Sequence, residues 1–285
     1  MNEEMHQSED NKAIPMTSVS SGKGREVRPD VYYYTNQIVN IEMVGFPGQN
    51  NWVLIDAGMP KSAKEILSSA AERFGRNSRP SAIVLTHGHF DHVGSIVNLI
   101  KDYQVPVYAH PLEFPYLTGQ MAYPEPDPKV QGGGILAKLS SVYPIEPVNI
   151  KEVLLPLPED HTVPYMPGWE WVHTPGHSPG HVSFFRKSDR TMIAGDAFVT
   201  VRQDSLYKVL MQKAEINGPP NYLTTDWQAA WDSVRKLESL QPRVAVTGHG
   251  QAMQGEELSE GLGRLAREFD KIAIPEHGKY VDGKD

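Results

Sequence analysis

Four short apolar runs in this chain stop on a histidine or an aspartate, and any fold it adopts has to accommodate all four. AIVLT (82–86) is followed by His87, His89, Asp91 and His92, WEWVHTPG (169–176) by His177, TMIAG (191–195) by Asp196, and RVAVTG (243–248) by His249. Runs of this length, rich in β-branched residues, read as buried strands. Strand ends are rigid, so side chains placed there can converge from distant positions on one preorganised point. The chain has only 11 histidines. Three of them fall between positions 87 and 92, and an H-x-H-x-D-H pattern arises by chance in roughly one such sequence in a thousand.

The first cluster lies between a strand and a helix. His87 and His89, two apart in a nearly extended segment, can point the same way, whereas Asp91 and His92 open the helix and can face a neighbouring point. That makes two part-sites, each needing further ligands, and His177, Asp196 and His249 are available. A carboxylate has two oxygens, so one aspartate can bridge two ions. There are no cysteines, which excludes disulfides, thiolate ligands and a cysteine nucleophile. Five imidazoles and two carboxylates suit Zn²⁺, with Fe and Mn as alternatives. A metal lowers the pKa of bound water from about 16 to about 7, which gives hydroxide at neutral pH without a protein nucleophile. Two divalent ions against two aspartates and a hydroxide leave a charge of about +1, able to polarise a carbonyl or hold an anionic product.

The rest of the chain supplies a scaffold. Residues 1–28 are polar and read as a flexible tail with no signal-peptide core. Residues 29–285 read as one domain. VYYYTN (31–36), IVNIEMVG (38–45), NWVLIDAG (51–58), VPVYAH (105–110) and the pair HVSFF and TMIAGD read as strands, the last two as a hairpin. Ser62 and Glu65 form a candidate capping box before a helix carrying Ala63, Ile66, Leu67, Ala70, Ala71 and Phe74; Thr225 and Gln228 form a second before Trp227, Ala230, Trp231, Val234 and Leu237. Val93, Ile96, Val97 and Ile100 mark one helix face, and a final helix is expected near Glu256 to Ala273. Residues 111–170 hold 11 of the 23 prolines and the Gly132-Gly133-Gly134 run, so an insertion near 111–165 is expected to be partly substrate-facing. Strand-rich then helical halves imply an α/β fold with two sheets face to face and helices outside. The net charge of −8 argues against nucleic acid as partner. No run approaches the roughly 18 apolar residues of a membrane helix, and the expectation is a cytoplasmic protein.

The motifs THGHFDH, HTPGHSPGH, IAGD and TGHG, in that order, resemble those of the metallo-β-lactamase superfamily. The resemblance implies a four-layer αββα sandwich with a dinuclear site at one edge. It implies that His87, His89 and His177 hold one metal, that Asp91, His92 and His249 hold the other, that Asp196 bridges, and that Asp91 also orients the attacking hydroxide as the catalytic residue. Asp56, in VLIDAG, matches the family's aspartate that fixes a ligand's ring. His181 is expected to be structural. His110 and His277 are weaker candidates near the site, His6, His161 and His173 are not promoted, and Tyr207 and Tyr222 are candidates for oxyanion stabilisation. A basic glutathione-binding motif is not found, and Val199 stands where lactonases commonly carry a Tyr. The implied function is a dinuclear metallo-hydrolase of the glyoxalase-II/lactonase-like branch, acting on a small-molecule ester, thioester or lactone. The competing readings are phosphodiester hydrolysis and a non-hydrolytic metal or redox module such as an iron dioxygenase.

Overall fold

The β-branched and aromatic runs form the strands expected of them. The computed structural model describes residues 5, 18–131, 137–138, 140, 147–201 and 214–281. The chain divides into two compact units, Met1–Tyr123 with Pro144–Pro167, and Pro124–Tyr143 with Gly168–Asp285.

The first unit is built on a seven-stranded sheet whose spatial order follows the chain: β1 (Lys23–Arg28), β2 (Val31–Asn36), β3 (Val39–Val44), β4 (Val53–Ile55), β5 (Ala82–Val84), β6 (Val107–Ala109) and β7 (Leu154–Pro156). Strands β1 to β4 are antiparallel and joined by short turns, whereas β4, β5, β6 and β7 are parallel. A parallel step needs a long crossover. Helix α1 (Ala63–Phe74) supplies it from β4 to β5, α2 (Phe90–Val93) with α3 (Ile96–Tyr103) from β5 to β6, and the short α4 (Phe114–Leu117) follows β6. Ile66, Ala70 and Phe74 recur at helical spacing and bury against the sheet with Trp52, which stacks on Phe74 at 4.4 Å.

Three expectations are corrected here. Lys23–Arg28 lie within the stretch read as a tail, yet they pair with β2 as an edge strand. Ser62 precedes α1, but its side chain makes no capping bond, because its backbone (φ −99°, ψ 6°) is not the extended one a cap needs. The helix marked by Val93 to Ile100 is broken in two. The Gly94 amide donates to the Gly58 carbonyl (2.9 Å), and a β-carbon on Gly94 would sit 2.3 Å from Pro60 N.

The second unit holds a five-stranded mixed sheet. Its strands are β8 (Trp169–His173), β9 (Val182–Arg186), β10 (Thr191–Ile193), β13 (Val244–Val246) and β14 (Met253–Gln254), in the order β14-β13-β10-β9-β8. Between them in sequence, β11 (Val199–Val201) and β12 (Ala214–Asn217) form a separate two-stranded ribbon. The β9–β10 hairpin forms as expected, and Arg186 grips Asp189 through two nitrogens, at 3.0 and 2.8 Å. Trp169 and Trp171 are both buried.

Two long helices cover this sheet. Val234 and Leu237 of α5 (Trp227–Ser239) and Leu258, Leu262 and Leu265 of α6 (Gly255–Arg267) share one core with Met192 and Ala245. The expected second capping box is displaced by one residue. Asp226, not Thr225, is the cap of α5, accepting from the Ala229 amide at 2.9 Å. The final helix stops at Arg267 and resumes as α7 (Phe269–Ile272), whose Phe269 stacks on Trp231. Among the described residues no helix is long and apolar enough to cross a membrane.

Candidate metal centre

Both units present buried histidine and aspartate side chains at their strand ends. In the first, His87, His89, Asp91 and His92 follow β5 and run into α2, all less than 5% exposed. The candidate ligand atoms of His87 and His89, of His87 and His92, and of Asp91 and His92 lie within 4.8 Å of each other. The His87 ring meets those of His89 and His92 at centroid distances of 4.7 and 4.2 Å.

Asp56 orients this group. It follows β4 in a left-handed backbone conformation (φ 63°), which aspartate and asparagine tolerate better than other side chains. Its Oδ1 accepts from the Thr86 amide at 2.8 Å, and its Oδ2 accepts from the Thr86 hydroxyl and from His92 Nδ1, each at 2.7 Å. A carboxylate only accepts, so the Thr86 proton is committed to Asp56, and the Thr86 oxygen accepts from His87 Nδ1 at 3.0 Å. Both rings therefore carry their proton on Nδ1, which leaves Nε2 as the candidate ligand atom. Asp56 thus fixes the His92 ring in the way expected of it.

In the second unit the same logic recurs with different partners. The Thr224 hydroxyl donates to the Pro220 carbonyl (2.8 Å) and accepts from His177 Nδ1 (3.1 Å), so His177 also presents Nε2. That Nε2 lies 3.4 Å from Asp196 Oδ2, and His249 Nε2 lies 3.3 Å from the same oxygen. One carboxylate oxygen thus stands between two imidazoles. A nitrogen lone pair facing a carboxylate oxygen is an arrangement that a bound cation stabilises, and the all-N/O donor set suits Zn, Fe or Mn. The residues fit the ions that the sequence implies.

Backbone constraints hold these side chains. Gly176, before His177, has φ 127°, and a β-carbon there would lie 2.3 Å from Ala230 N at the start of α5, so only glycine fits. The Asp196 amide donates to His181 Nε2 at 2.9 Å. His181 must then carry its proton on Nδ1, which donates to the Thr174 hydroxyl (2.8 Å). Ser183 donates to the Ala194 carbonyl (2.8 Å), which leaves Ser183 Oγ to accept from Thr174 (3.1 Å). The relay starts at residue 196 and returns to residue 194, clamping the turn that carries Asp196. The structural reading of His181 is met, with Asp196 as what it supports.

The remaining candidates separate. His110 caps a short 3₁₀ turn by accepting from the Leu112 amide, His173 is bonded to the Pro179 carbonyl, and His161 is exposed. The His277 carbonyl accepts from the Gln131 amide. Tyr222 is buried in the second unit. Tyr207, His6 and the glycine run at 132–134 lie outside the described residues. Sequence reasoning missed Glu113 and Tyr123, in the proline-rich stretch. Glu113 is fully buried, and its carboxylate accepts from the Gly88 amide between His87 and His89. Burial, and then the neighbouring Glu113, push the Tyr123 phenol well above its ordinary pKa.

The chain is similar to several known proteins. The family model described as the metallo-β-lactamase superfamily matches residues 35–249. A Bacillus subtilis (strain 168) protein named "Probable metallo-hydrolase YflN" is 44% identical over 262 residues, covering 91% of this chain and 98% of its own. A protein solved in a di-iron-bound form is 28% identical with a TM-score of 0.51, over 80% of this chain and 92% of that one. A B3 metallo-β-lactamase with an active-site glutamic acid has a TM-score of 0.61 at 16% identity, over 94% and 97% of the two chains. The α/β sandwich expected from the sequence is the fold of these neighbours.

Proposed function

The chain belongs to the metallo-β-lactamase superfamily, and from that premise we propose that it is a dinuclear metal-dependent hydrolase of small-molecule esters, thioesters or lactones. His87, His89 and His177 would hold one ion, Asp91, His92 and His249 the other, and Asp196 would bridge. Zinc is the metal that five imidazoles favour, and the di-iron form of a relative keeps iron in view. The observation that carries the reading is the way His87, His92 and His177 are held: each Nδ1 bonds a fixed partner within its own unit, which orients the ring and makes Nε2 the nitrogen that would ligate. Histidines that merely fill a core do not need this in three places.

Bound divalent ions would supply a hydroxide at neutral pH and polarise the scissile carbonyl. The protein's own part follows from its side chains. Asp91 would orient the attacking water and hold its proton at a carboxylate oxygen. Asp56 would keep the His92 ring in one tautomer and one orientation. His181 would keep Asp196 at its turn.

The substrate class is tested with purified protein on a panel of p-nitrophenyl acetate, a lactone, a thioester and bis-p-nitrophenyl phosphate, before and after dialysis against a chelator. Chelator-sensitive turnover of the carbonyl substrates is expected, restored by added zinc. Turnover that survives metal removal, or that is confined to the phosphodiester, overturns the proposal.

A further inference from the structure

We propose that Glu113 and Tyr123 are positioning residues which set the spacing of His87 and His89 by gripping the peptide between them. The inference rests on the reading of those histidines as metal ligands. Glu113 closes the 3₁₀ turn Pro111–Glu113 directly after β6 and is fully buried. Its Oε2 accepts from the Gly88 amide at 2.9 Å and from the Tyr123 hydroxyl. The Tyr123 oxygen also accepts from the Gly88 amide, at 3.0 Å. One backbone N–H is therefore shared between two acceptors that are bonded to each other.

The grip extends to the ligand ring. Tyr123 lies against His89 with centroids 4.4 Å apart and 58° between planes, and stacks on Tyr116 at 3.9 Å. A β-carbon on Gly88 would approach the Tyr123 oxygen to 2.6 Å and Leu117 to 3.1 Å. The turn is thus closed around a glycine, and it is the only residue between His87 and His89. A ligand pair separated by one residue can splay by rotation about that residue's backbone. Fixing its N–H removes this freedom and preorganises the pair. Burying a carboxylate is costly unless its oxygens are well bonded. A chain that needed only to fill this space could use an apolar side chain, so the recruitment of a charge-assisted bond to the peptide between two ligands points to positioning.

The test uses the full-length chain stripped of metal, titrated with Zn²⁺ against a chromophoric chelator, with the melting temperature of each metal-free variant read alongside. Losing such a supporting contact typically costs about 10–100-fold in metal affinity, and Glu113→Ala is expected in that range. Glu113→Gln retains an oxygen that can accept from both Gly88 and Tyr123, and it is expected to restore affinity to within about threefold of wild type. Tyr123→Phe keeps the ring against His89 and loses the hydroxyl, for an expected loss of severalfold. Wild-type affinity in Glu113→Ala overturns the proposal, as does a Glu113→Gln variant as weak as Glu113→Ala. If Glu113→Ala does not fold, Tyr123→Phe decides, and an unchanged affinity there overturns the proposal. A wild-type chain that binds no zinc would instead sink the metal reading itself, so the two failures are distinguishable.

Discussion

Replacing Asp56 with asparagine separates the carboxylate's chemistry from its shape. Asparagine tolerates the left-handed backbone at this position (φ 63°) as well as aspartate does, so backbone strain does not enter. What changes is hydrogen bonding. Asp56 accepts three bonds, from the Thr86 amide, the Thr86 hydroxyl and His92 Nδ1. If the new NH₂ takes the Oδ1 position, it faces the Thr86 amide donor. If it takes the Oδ2 position, it faces the Thr86 hydroxyl and His92 Nδ1–H, and His92 must move its proton to Nε2, where a ligand cannot carry it. Either way at least one buried donor is left opposed. A buried unsatisfied donor costs about 1–3 kcal/mol, and a bond to a charged group is worth about 1.5–3 kcal/mol, so the expected loss is about 3 kcal/mol. For a chain of this size that corresponds to roughly 6–12 °C in melting temperature. Metal affinity should fall by about 10–100-fold. The assay is thermal unfolding of the metal-free protein together with zinc titration against a chelating dye. A variant that melts within a degree of wild type and binds zinc within twofold of it would refute the reasoning about Asp56.

Other perturbations test other parts of the account. His181→Ala leaves the buried Asp196 amide without its acceptor; a loss of about 1–3 kcal/mol in urea unfolding is expected, with weaker metal binding, and unchanged metal affinity would detach His181 from Asp196. Gly176→Ala forces a β-carbon against the Ala230 backbone at 2.3 Å; it should destabilise by about 3 kcal/mol or more, and a stable, soluble variant would contradict the packing described. Asp189 is raised by burial but pulled further down by the Arg186 and Thr191 hydrogen bonds, to about 2. A folded-state value below the unfolded one stabilises the protein above the unfolded pKa, near 4, and that stability is lost as pH falls toward 2. Asp189→Asn should therefore cost about 1 kcal/mol at pH 7, with most of that difference gone by pH 2; a pH-independent difference would refute it.

The candidate ligands were legible because their signal is local: His87, His89, Asp91 and His92 sit within six positions, and the others follow apolar strands. Asp56 was legible through its setting in VLIDAG. Glu113 and Tyr123 were not, because they reach Gly88 from 25 and 35 residues away and carry no spacing of their own. The strand Lys23–Arg28 was missed because KGREVR is an edge strand and mostly exposed, held by backbone pairing with β2 rather than by an apolar pattern. Ser62 and Thr225 show the limit of capping motifs: the residue types matched, but the backbone at Ser62 was unsuited, and the cap of α5 went to Asp226 one position on. Gly94 broke a periodic helix because its amide is used by Gly58, a tertiary contact that periodicity does not encode.

The central claim is that seven side chains together hold a pair of ions. Elemental analysis of metal-reconstituted protein tests it most directly, with wild type beside Asp196→Ala and His249→Ala. The account predicts about two metal ions per wild-type chain and a clear fall in both variants. A wild-type chain that retains no metal, or variants that still hold the full complement, would contradict it.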